Sequence, residues 1–169
     1  DGVTQTVTEV IKQNPVYQDK ILAQLKETIF LRDRSKFAKV ASTLFSLNEI
    51  QYPTRKQALG LLLTNLDLNN SDAIGTIQAI GQIASMTTIG SETATNVITF
   101  IINLLSKRNV SYDISRLCIE VTVQIASTIG SEAATNVITF IINLLSKPDV
   151  SDDKARLYIK AIGHIASKT

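Results

Sequence analysis

The chain of 169 residues has no tryptophan, one cysteine, one histidine, one methionine and three prolines. Each scarcity removes a class of protein. A lone Cys118 cannot build an internal disulfide framework and fits a reducing compartment, so a cytoplasmic location is the expectation. A lone His164 has Lys160, Ala161, Ser167 and Lys168 at three and four residues, neighbours that are inert or repel a cation, so neither a metal site nor acid–base chemistry is assigned to it. The sequence carries no glycine-rich phosphate loop closed by Lys-Ser/Thr, no His-Glu-x-x-His and no Cys-x-x-Cys, and Asp152-Asp153 fit the first turn of a helix, where the macrodipole accounts for them. The reading is therefore non-enzymatic, with no catalytic residue, metal or cofactor. No apolar run approaches the ~18 residues of a membrane span: residues 97–105 come nearest and are broken by Thr99 and Asn103. Seventeen basic against fifteen acidic residues leave a net charge of +2, too small to imply a nucleic-acid partner from bulk charge.

What is present is repetition. Residues 91–107 read SETATNVITFIINLLSK and residues 131–147 read SEAATNVITFIINLLSK, forty residues apart and different only at Thr93 against Ala133. The similarity continues through Arg116-Leu117 and Gln124-Ile125-Ala126-Ser127, matched by Arg156-Leu157 and His164-Ile165-Ala166-Ser167. A period of this length marks stacked helical units, each too small to cover its own apolar face. Within the duplicated segment Asn96, Thr99, Asn103 and Ser106, and their equivalents Asn136, Thr139, Asn143 and Ser146, draw one narrow polar line at helical spacing, so most of the helix circumference must be covered. Its β-branched residues raise a buried strand as a rival; segment length and the polar line decide for helix.

The remaining chain follows the same plan. Residues 3–12 form a leading helix that stops at Asn14-Pro15, and helical spacing of apolar residues predicts a first pair within 16–50. Thr54 is the expected cap of the next helix and Ser71 of its partner, the second unit spanning 51–90. Ser91 and Ser131 are expected to cap the duplicated helices and Ser111 and Ser151 their partners, giving units at 91–130 and 131–169. The chain opens on Asp1-Gly2 without a basic-then-apolar leader and reads as part of a longer protein or as a processed chain. The expected architecture is all-α: one domain over 1–169, a right-handed α-solenoid of about four helical hairpins plus the leading helix.

The apolar helix ending Leu-Leu-Ser-Lys, the turn with Pro148-Asp149 and Asp152-Asp153, and the following Arg156, Ile159, Ile162-Gly163 and Ile165 resemble a HEAT repeat of the phycobilisome-lyase-like type. The resemblance implies a ladder between neighbouring repeats, with Asp113 and Arg116, and Asp153 or Asp149 with Arg156, taking that part. Ala38 and Ile74 stand at the Arg position of the first two units. The array is also similar to the carboxy-terminal sensor arrays of bacterial NACHT-type switch proteins. A protein-interaction scaffold or sensor follows, its partner lying along the second helices at Gln78, Gln82, Glu120, Gln124, Lys160 and His164. Tyr112 and Tyr158 are the available aromatic anchors, and Cys118 is read as a small, partly buried filler. The alternative is a nucleic-acid-binding array using Lys26, Arg32, Arg34, Lys36, Lys39, Arg55 and Lys56. Self-association through the uncapped last unit is a further expectation, since nothing there adds a polar face.

Overall fold

The computed structural model describes residues 2–64, 66–86, 89–107 and 110–168, and of Val3 the backbone alone; the opening Asp1 lies outside the described residues. Among the described residues there is no strand, and nine α-helices follow one another: α1 Gly2–Gln13, α2 Gln18–Leu25, α3 Arg34–Leu44, α4 Tyr52–Leu63, α5 Ala73–Ala84, α6 Ser91–Leu105, α7 Tyr112–Ala126, α8 Ser131–Leu145 and α9 Asp152–Ser167. A 3-10 turn, Pro15–Tyr17, precedes α2, and a π-helical turn, Lys26–Phe30, extends it. The described helices of 11 to 16 residues from α3 onward are too short to be stable alone in water and depend on their packed faces.

Helices two apart in the chain touch as well as sequential ones. α3, α5, α7 and α9 pack each on the next, α6 lies against α8, α2 against α4, and α4, α6 and α8 each contact the helix that follows. The buried apolar residues form one cluster from Ile11 on α1 to Ile165 on α9. Gly81 permits a close approach of α5 and α7: a Cβ built there would stand 2.9 Å from a Val121 methyl. Between α4 and α6 the Thr93 hydroxyl pairs with the Tyr52 hydroxyl at 2.7 Å, and α8 has Ala133 at the position of Thr93.

The capping chemistry divides. Ser111 and Ser151 accept from the amides of Ile114 and Lys154, both at 3.3 Å, as their position before a helix requires. Ser91 and Ser131 instead occupy the first helical position, and the cap positions belong to Gly90 and Gly130, with Gly90 at φ +82, where a side chain would be strained. α5 begins after Asp72 rather than at Ser71, because the Asn70 side chain accepts from the Asp72 amide and holds the turn one residue longer. Thr54 lies inside α4, buried, and its hydroxyl donates to Asp19 on α2.

Arg55 also lies on α4 and is fully buried. Its Nε donates to the Phe45 carbonyl at 3.0 Å, where α3 ends, and its Nη2 to the Leu47 carbonyl at 2.7 Å, which the Ile50 amide also reaches at 3.1 Å. Burial lowers its pKa below the ordinary arginine value. Arg34 turns inward too, standing 4.5 Å over the Phe30 ring and donating to the Thr64 carbonyl at 3.0 Å.

Candidate partner-binding surface

Consecutive packing of α5, α7 and α9 lines up the residues four apart on each helix. Gln78 and Gln82 on α5, Glu120 and Gln124 on α7, and Lys160 and His164 on α9 are all exposed. The first four, with Leu117 and Val121, line an open groove of about 330 Å³ between α5 and α7. Glu120, Lys160 and His164 line a larger groove of about 530 Å³ between α7 and α9. Glu120 belongs to both, so the six residues share one continuous surface.

The larger groove also contains Tyr112, Arg116, Ile119, Val123, Asp153, Arg156 and Leu157. These complete a pattern that helical spacing contained, since Arg116 lies four residues before Glu120 and Arg156 four before Lys160. The apolar floor was harder to read, because Ile119, Val123 and Leu157 also satisfy the core pattern of their helices. Of the two tyrosines, Tyr112 is 42 % exposed and stands at the groove, whereas Tyr158 is buried and offers no anchor to a partner. Tyr158 packs toward Cys118, and burial first, then the Cys118 charge, raises its pKa. Cys118 is itself fully rather than partly buried, and its thiol is pushed up to about 12 by burial, the opposite of an activated nucleophile.

Two ion pairs sit at the rim. Arg116 Nε lies 3.4 Å from Glu120 Oε1 and Arg156 Nη1 lies 3.5 Å from Asp153 Oδ1. Both run along one helix, between residues four and three apart, and all four side chains are more than half exposed, so each pair contributes little to stability. Of the residues implied for an inter-repeat ladder, Arg156 thus meets Asp153 inside α9, and Arg116 reaches Glu120 rather than Asp113. Exposed side chains three or four apart on a helix are the nearest available partners, which accounts for this choice. The links that do cross between neighbouring units are of another kind. Lys147 Nζ donates to the Ser106 carbonyl at 3.1 Å and Lys154 Nζ to the Val110 carbonyl at 2.6 Å. Gln82 Nε2 donates to Ser46 Oγ at 3.4 Å and Gln124 Nε2 to Ser85 Oγ at 3.3 Å, long bonds at the weak end of the range. Each serine gives its own proton to a carbonyl of its helix and receives the glutamine on a free lone pair. His164 and Ser127 occupy the next rung by position, and there the Ser127 hydroxyl donates to the Gln124 carbonyl at 2.7 Å.

Among the described residues no group of three or more His, Cys, Asp or Glu stands together, and no helix is long and apolar enough to cross a membrane. The chain matches no family model, no curated protein and no solved structure.

Proposed function

We propose that the chain is a non-enzymatic interaction scaffold: a right-handed α-solenoid of four HEAT-like hairpins and a leading helix, which binds a protein partner along α5, α7 and α9. The observation that carries this reading is the shared groove surface, in which exposed polar residues from three successive second helices fall into one line. Tyr112 is its aromatic contact, and Arg116, Arg156 and Lys160 against Glu120 and Asp153 give it mixed charge, suited to orienting a folded partner rather than to gripping a polyanion. The thiol of Cys118, buried and pushed up to about 12, offers no nucleophile to the groove, which fits binding better than turnover. By the resemblance to NACHT-associated arrays, the scaffold serves as a sensor in a larger cytoplasmic bacterial protein.

The nucleic-acid alternative loses support at two of its seven cations, because Arg55 is buried under α3 and Arg34 is held between Phe30 and Thr64. The discriminating experiment is affinity capture from a native extract with three baits: the unaltered chain, a Tyr112→Ala/Lys160→Glu groove variant, and an Asn96→Lys variant on the opposite polar line. A partner retained by the first and third and lost with the second supports the scaffold. Equal retention by all three removes the groove from the function. A salt-steep gel shift with duplex DNA or RNA, reduced by Lys36→Glu, would replace it with the alternative.

A further inference from the structure

Charge is unevenly spread over the two grooves. In the one between α5 and α7, Gln78, Gln82 and Gln124 are neutral, and the Glu120 carboxylate already has Arg116 at 3.4 Å on its own helix. On α9 Asp153 is matched in the same way by Arg156. With these two pairs set aside, the charge left in the α7–α9 groove is Lys160. One turn further along α9 stands His164, whose imidazole presents an N–H donor whether neutral or charged. Both side chains are exposed, and among the described residues neither makes a hydrogen bond or an ion pair. Beside them the floor is apolar, made by Ile119 and Val123 from α7 and by Leu157 and Ala161 from α9.

We propose, resting on the groove as a partner-binding surface, that it takes a protein segment carrying a carboxylate side chain next to an apolar one. The carboxylate meets Lys160 and His164, and the apolar side chain covers the floor. Charge complementarity selects this occupant. A basic segment would have to draw Glu120 or Asp153 away from its arginine and would set a second cation beside Lys160, whereas an acidic segment meets a cation that holds no counter-ion. A nucleic acid fits less well, because Glu120 and Asp153 line the same groove and repel a chain of phosphates. The gradient also sets a direction. From Gln78 and Gln82 on α5 to Lys160 and His164 on α9 the surface passes from neutral to cationic, so the segment lies with its acidic end at α9. A volume of about 530 Å³ lies within the ~300–1,000 Å³ of clefts that hold compact ligands.

The test is fluorescence anisotropy of the whole chain with a fluorescein-labelled peptide of Leu-Glu-Ala repeats and with its Leu-Gln-Ala analogue. The acidic peptide is expected to bind at least about threefold more tightly than the neutral one, an advantage that falls as salt is added. Lys160→Gln should erase that advantage and leave binding of the neutral analogue unchanged. Lys36→Gln, an exposed cation outside the groove, should alter neither affinity. Both lysines are exposed, so circular dichroism of the two variants should match the unaltered chain. Should Lys160→Gln lose helix content, a Leu-Lys-Ala peptide on the unaltered chain gives the same information by binding more weakly than the neutral analogue. Equal affinity for the acidic and neutral peptides, with both lost in Tyr112→Ala, would keep the groove and overturn its preference for a carboxylate. Acidic-peptide binding indifferent to both Tyr112→Ala and Lys160→Gln would remove the groove itself. Binding of neither peptide, an advantage lost with Lys36→Gln, or displacement of the acidic peptide by duplex RNA would each overturn the proposal.

Discussion

Arg55 shows how a charged side chain can become a structural part of an apolar assembly. A stem of three carbons and a planar donor set let it reach from α4 to the Phe45 carbonyl, at the end of α3, and to the Leu47 carbonyl, which it shares with the Ile50 amide. Removing it leaves the Phe45 carbonyl without this donor, takes one of two donors from the Leu47 carbonyl and empties the volume of a fully buried side chain, so Arg55→Ala should lower the unfolding free energy by about 3–5 kcal/mol in urea titration. Arg55→Lys should recover only part of this, because an ammonium group lacks the fork that meets two carbonyls at once. Equal stability of the alanine variant and the unaltered chain would show that the carbonyls find other donors. In the sequence Arg55 reads as one more cation beside Lys56, and its role depends on a turn whose end could not be placed without the fold.

At the scale of the helix, two glycines with the same sequence surroundings have opposite consequences. Gly81→Ala places a methyl against Val121 and forces α5 and α7 apart or off their rotamers, a cost of about 1–3 kcal/mol. Gly163→Ala meets open space and removes a helix-weakening residue, so it should stabilise α9 by about 0.5–1 kcal/mol. Thermal unfolding of the two variants should therefore shift in opposite directions, and shifts of the same sign would contradict the packing described at Gly81. Legibility also divides by element. Helix type, order and the caps at Ser111 and Ser151 follow from apolar spacing and a serine placed one residue before it. The caps expected at Ser71, Ser91 and Ser131 fail because a glycine or an Asx turn just upstream competes for the same boundary. The π-helical turn at Lys26–Phe30 has no periodic signature, since it inserts one residue into a pattern that otherwise continues. The groove's polar residues were visible as rows four apart, whereas its apolar floor was indistinguishable from core.

Across the whole molecule, stability follows the number of covered sides. α6 and α8 share nearly the same residues, so their intrinsic amide exchange rates match almost position for position, and any difference in protection reports packing alone. In dilute solution the amides of α8 should exchange at least about tenfold faster than those of α6, because Ile142 faces water where Ile102 does not. Equal protection in the two helices would mean that the stack opens as one unit. The same twinning puts a demand on folding. Two interchangeable segments in one chain invite each into the other's seat, a hazard of tandem arrays. The pair Thr93 and Ala133 supplies the one local distinction: in the wrong order, the Tyr52 hydroxyl would face a methyl and lose its partner. Within the twin helices a single hydroxyl oxygen is thus what sets the seat of α6 apart from that of α8.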